Sequence, residues 1–166
     1  HDNGNYGIAL SGVLYSVINS NQVHNNTSHA LDLSGNSSAN TINSNNFRNN
    51  GGATTTDAIY LSSSSSNTIT SNVFTDANCS TTCYAINVSD SGSTGTYIAD
   101  NTFGVFAGSA PYIFAASGAN PTYGSQLNSD GANTFVIQNA GALSLTPAAA
   151  ATSSASTIQT GNSTAG

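Results

Sequence analysis

The chain has 166 residues, the size of one domain, and Asn, Ser and Thr supply 23, 27 and 20 of them. Seven Asp, no Glu, no Lys and a single Arg give a net charge of -6, which excludes a nucleic-acid or anionic-membrane surface. No apolar run is long enough to span a bilayer, and the Glu, Lys and Leu on which helix bundles run are missing. Ile, Leu, Val and Phe together number only 31, too few for a thick core. Low charge and only three Pro nevertheless argue against disorder.

The chain begins at His1 and contains no Met, so it reads as a mature chain or a piece cut from something longer. From its N terminus two short patterns alternate. The first, small–apolar–x–apolar–Ser, appears as Gly7-Ile8-Ala9-Leu10-Ser11, Ala30-Leu31-Asp32-Leu33-Ser34, Ala58-Ile59-Tyr60-Leu61-Ser62 and Ala85-Ile86-Asn87-Val88-Ser89. The second, Ile-x-(Ser/Asp)-Asn-x-(Val/Phe), begins at Ile18, Ile42, Ile69 and Ile98. Starts of the first pattern lie 23, 28 and 27 residues apart, from Gly7 to Ala30 to Ala58 to Ala85.

Apolar–x–apolar is a period of two, which puts both apolar side chains on one face of a strand. A unit this short buries nothing alone, so it must stack on copies of itself. Stacking predicts inward rows: Ile8, Leu31, Ile59 and Ile86; Leu10, Leu33, Leu61 and Val88; Ile18, Ile42, Ile69 and Ile98; and Val23, Phe47, Phe74 and Phe103. Asn21, Asn45, Asn72 and Asn101 stand at a fixed offset from Ile. Asn tolerates the left-handed backbone region that a sharp corner requires, so each is expected to turn a corner and to hydrogen-bond its amide to the next coil.

The two Cys, Cys79 and Cys83, have no further Cys or His cluster near them in sequence to complete a zinc site. They are expected to close a short disulfide, stabilising by roughly 2 kcal/mol, in a chain that works outside the cell. His1, His24 and His29 read as surface residues, so no metal or cofactor is expected.

The two patterns in this order resemble the parallel β-helix repeats of the pectate-lyase-like superfamily, of the carbohydrate-binding and sugar-hydrolase type, over residues 6 to about 103. The resemblance implies an all-β, single-stranded, right-handed parallel β-helix (β-solenoid) of five to six coils. A fifth coil is expected to open at Ala110–Phe114 and close at Asn133-Thr134-Phe135. A sixth would begin at Ala142-Leu143-Ser144-Leu145-Thr146. The β-helix domain is placed at 1–146, with 147–166 a low-complexity tail that could complete a last coil.

Superfamily enzymes need paired carboxylates, or acid, calcium and a basic residue, on the outer face. The outward position of the first pattern reads Ala9, Asp32, Tyr60 and Asn87, with Asp57 and Asp100 elsewhere in their coils. A lone carboxylate without Lys or Arg predicts no catalysis, whereas Asp32, Tyr60 and Asn87 could form a sugar-contacting strip. Five residues before the first coil leave no room for a helical cap over the sheet edge. The expectation is therefore an extracellular or cell-surface structural protein stacking head to tail with other copies into a filament or fibre. A carbohydrate-binding or polysaccharide-degrading β-helix (an adhesin, a tailspike or a lyase) is the alternative.

Overall fold

The computed structural model describes residues 2–50, 56–76, 83–106, 113–123 and 137–139. The described residues contain fifteen short strands and no helix. The first coil holds β1 (Ile8–Ser11), β2 (Val17–Asn19) and β3 (Gln22–His24), and the second β4 (Leu31–Ser34), β5 (Thr41–Asn43) and β6 (Asn46–Arg48). The third holds β7 (Ile59–Leu61), β8 (Thr68–Thr70) and β9 (Val73–Asp76), and the fourth β10 (Ile86–Val88), β11 (Tyr97–Ala99) and β12 (Thr102–Phe106). A fifth coil contributes β13 (Ile113–Ala115) and β14 (Thr122–Tyr123), and β15 (Ile137–Asn139) begins a sixth.

Every pairing is parallel and joins one coil to the next. Three sheets result, in the orders β1-β4-β7-β10-β13-β15, β2-β5-β8-β11-β14 and β3-β6-β9-β12. We call them the first, second and third sheets. One chain winding through three parallel sheets is a β-solenoid. The second sequence pattern supplies two strands, with the expected corner at its centre.

The predicted rows form in register. Leu31, Ile59 and Ile86 stack between Ile8 and Ile113 on the first sheet; Ile18, Ile42, Ile69 and Ile98 line the second. Phe47, Phe74 and Phe103 stack inside the third with ring centroids 5.2 and 5.4 Å apart, a spacing set by the distance between strands. All but the first-coil members are buried to 2% exposure or less, while Ile8 and Leu10 are only partly covered. In the fifth coil Tyr123 replaces the row's Ile. Its buried hydroxyl has no partner, and burial pushes the phenol up to about 12.

The corners correct the expected role of Asn. The left-handed residues between the second and third sheets are Ser20, Ser44, Ser71 and Asp100, each one position before the Asn. The Asn that follows turns its amide along the stack instead. Asn72 Oδ1 accepts the backbone N–H of Asn45 at 2.9 Å and its Nδ2 at 3.0 Å, and Asn72 Nδ2 donates to the Ile42 carbonyl and to Asn101 Oδ1. Asn45 repeats this with Asn21 and Ile18. The ladder is therefore real and buried at Asn45, Asn72 and Asn101, and Asn21 at its end is exposed.

The same device serves the other two corners. Left-handed Tyr15, Ala39, Ser66 and Gly95 precede Ser16, Asn40, Asn67 and Thr96, and Asn40 Oδ1 accepts the Ser16 N–H at 2.9 Å while Asn67 Oδ1 accepts that of Asn40 at 2.9 Å. Left-handed Asn25 and Asn49 precede Asn26 and Asn50, whose amides bond at 2.7 Å. Asp90, in the turn after β10, clasps the coil below it. It accepts from the Ser62 hydroxyl, the Ser63 N–H and, within its own turn, the Gly92 N–H and Ser93 hydroxyl.

The later coils also depart from the sequence reading. The fifth coil opens at β13 on β10, at the expected Ala110–Phe114 opening, and its second strand, which the sequence reading does not assign, is β14 on β11, where Thr122-Tyr123 follows a left-handed Asn120 as the other second-sheet strands follow theirs. The sixth coil starts at β15 on β13, not at Ala142. Asn133–Phe135, Ala142–Thr146, the tail 147–166 and Cys79 lie outside the described residues; Cys83 is buried.

Asn72→Ala strands two buried donors and two acceptors at once, so it is expected to cost on the order of 3 kcal/mol or more. Asn21→Ala, at the exposed end, is expected to cost under about 1 kcal/mol. Urea unfolding followed by circular dichroism checks the ratio. Burial raises the Asp90 carboxyl, but the bonds from Ser62, Ser93, Ser63 and Gly92 outweigh it and hold it below its ordinary 3.8. A carboxyl lowered by folding stabilises above the unfolded value and loses that stabilisation as pH falls through the folded one. Asp90→Asn is therefore expected to flatten the fall in thermal midpoint between about pH 5 and pH 2.

Candidate functional site

With the inward positions committed to the core, chemistry can only stand on outward ones. On the first sheet the outward row is Ala9, Asp32, Tyr60, Asn87 and Phe114, each opposite the next in register. The three residues expected to form a sugar-contacting strip, Asp32, Tyr60 and Asn87, are thus neighbours on consecutive strands.

A second row sits where each coil enters the first sheet: Tyr6, His29, Asp57 and Tyr84, each two residues before its inward Ile or Leu. Its rings join the first row. The His29 imidazole lies between Tyr6, at 5.9 Å and 6°, and Tyr60, at 4.6 Å and 11°. Two coils on, Tyr84 stacks on Phe114 at 5.0 Å. Tyr60, Tyr84 and Phe114 are partly exposed, so aromatic surface remains open along the column.

Asp57 knits these rows together. The Tyr84 N–H donates to its Oδ1 and the Asn87 amide to its Oδ2, both at 2.8 Å. Its own N–H donates to His29 Nδ1 at 2.8 Å. That nitrogen is then an acceptor, so the imidazole is neutral, with its proton on Nε2. The 3.8 Å approach of the same nitrogen to Asp57 Oδ2 is accordingly not an ion pair in this state. Burial pushes the Asp57 carboxyl up, while the hydrogen bonds from the Tyr84 N–H and the Asn87 amide pull it partly back. Burial also raises the Tyr84 phenol, helped by Asp57.

The sequence reading leaves Asp57 without a role in the strip and takes His29 for a surface residue. Asp57 is 5% exposed and tied to two coils, and His29 is a half-buried element of the aromatic stack. The constant offset of Tyr6, His29, Asp57 and Tyr84 from the Ile/Leu row was the signal that could have found them. Asp100 stands in a corner of the second and third sheets, away from this face. His24, partly buried, ends β3 on the third sheet. Among the described residues no group of three or more His, Cys, Asp or Glu could hold a metal ion.

No curated protein and no solved structure matches the chain. Residues 1–103, more than half of its length, match the family described as the right handed beta helix region. With that match and one chain wound through three parallel sheets, the protein belongs to the right-handed β-helix family.

Proposed function

We propose that the protein is a non-catalytic, extracellular glycan-binding β-helix whose binding face is the outer surface of the first sheet. The observation that carries this reading is the juxtaposition of partly exposed rings with amide and carboxylate groups on successive strands. Sugar rings present apolar C–H faces that stack on aromatic side chains and rims of hydroxyls that need polar partners. Tyr60, Tyr84 and Phe114 offer the former, and Asp32 and Asn87 the latter. A repeat of one strand spacing suits an extended polymer better than a single small molecule. The Asp57 carboxylate is already engaged by Tyr84 and Asn87, which leaves Asp32 without the second placed carboxylate that glycoside hydrolysis uses.

A second reading, end-to-end stacking with other copies into a fibre, is favoured by the edge formed by β1, β2 and β3. Each of these strands pairs on one side only among the described residues. Beside that edge Leu14, Tyr15 and Val17 are 51%, 82% and 68% exposed. Unpaired parallel edges with apolar surface beside them promote strand addition, and a head-to-tail contact that does not close grows into a filament.

A glycan array followed by isothermal titration is expected to find saturable binding to a polysaccharide, with Tyr60→Ala weakening it about tenfold, or about 1.4 kcal/mol. No binding across neutral, amino and acidic glycans would overturn the glycan reading. For the stack, sedimentation velocity over rising protein concentration is expected to show growing species. Charged substitutions Val17→Lys and Leu14→Lys are expected to suppress them, and a monomer at every concentration would sink that reading.

A further inference from the structure

Asp32 lies in the middle of the outward row and is 9% exposed. Its Oδ1 is enclosed and meets no hydrogen-bond donor. A carboxylate removed from water without partner or counter-charge is costly, and native folds normally supply one or the other. Among the described residues neither is supplied. The whole chain has one Arg and no Lys, and Arg48 ends β6 on the third sheet. Among the described residues the basic group on this face is His29, whose Nδ1 is occupied by the Asp57 N–H. The deficit extends along the strip, because Asn87, having given its amide to Asp57, leaves its own enclosed Oδ1 unbonded. The face is therefore short of donors and of positive charge, in a protein whose net charge is -6.

Resting on the glycan-binding reading above, we infer that the ligand of this face is a glycan carrying free amino groups, an amino-sugar polymer that is not fully N-acylated. An ammonium group offers three donors and one positive charge at a point. Set over the Asp32 carboxylate, it supplies the missing counter-charge, while the sugar ring beside it stacks on Tyr60. The same charge balance disfavours uronic-acid polymers, whose carboxylates would meet Asp32 with no cation between them.

Titration of the protein with three soluble probes separates the outcomes: a glucosamine hexamer, its fully N-acetylated counterpart and an oligogalacturonate, at a pH that keeps the sugar amines protonated. The glucosamine hexamer is expected to bind at least about tenfold tighter than the acetylated one, with affinity falling as salt is raised, and the oligogalacturonate is expected to bind weakest. Asp32→Asn is expected to erase the preference for the free amine, so that the two hexamers bind with equal affinity and the salt dependence is lost. Should that variant fold poorly, the salt dependence of the unaltered protein tests the same charge pairing. Equal affinity for the two hexamers, or tighter binding of the oligogalacturonate, overturns this inference while the glycan-binding reading stands. Binding of none of the three, nor of any glycan on the array, overturns both.

Discussion

A column this narrow has to turn three times per coil, and every turn brings backbone N–H and C=O groups close to a dry core. Leaving them unpaired would cost more than the thin rows of Ile and Phe could offset. The structure answers with a two-residue device at each corner. A left-handed residue makes the bend, and the next residue directs a side-chain amide or hydroxyl along the stack. Asn is suited to the second task because one side chain both accepts and donates. At Asn72 those functions serve the coil before it and the coil after it together. Direct ladder bonds of this kind let coils differ in length elsewhere without losing register.

The device also sets the protein's composition. Left-handed backbone at non-Gly residues costs energy at each corner, and short polar side chains, which bond locally, bear it best. Ser, Asn and Asp therefore fill most of these positions, with Ala39 and Tyr15 as departures. Charged side chains have little part in such a structure. Asp90 shows what is required when one enters the frame: its carboxylate accepts from hydroxyls and N–H groups of two coils.

Much of this was legible because core and corner are both local and repeated. The alternation at Ile59-Tyr60-Leu61 and its copies identified the first sheet, and the constant distance from Ile69 to Asn72 identified a corner. The left-handed residue was displaced by one because Asn is known both for that backbone and for its amide, and the sequence does not say which property is in use. The fifth coil opens at β13, at the segment the sequence marked, but its second strand escaped notice: Thr122-Tyr123 has Tyr where the row has Ile, and only the register with Tyr97-Ile98 reveals it. His29 and Asp57 were hidden because the position two before the inward Ile or Leu reads Tyr, His, Asp and Tyr, with no shared residue type to mark it as a row.

Outward positions carry no part of this construction, and that freedom makes their chemistry informative. Along the second sheet the residues flanking the core Ile are mixed and mostly short: Asn19, Thr41, Asn43, Thr68 and Thr70 stand beside the exposed Val17 and Tyr97. The first sheet differs. It assembles rings, encloses Asp32 and uses Asp57 to fix His29, Tyr84 and Asn87 in one arrangement. None of these contacts is needed to close a corner or fill a row. A solenoid that can be held together by Asn, Ser and Ile alone has no need of a carboxylate buried on its outer face, and it is this cost that the proposed cationic ligand would offset.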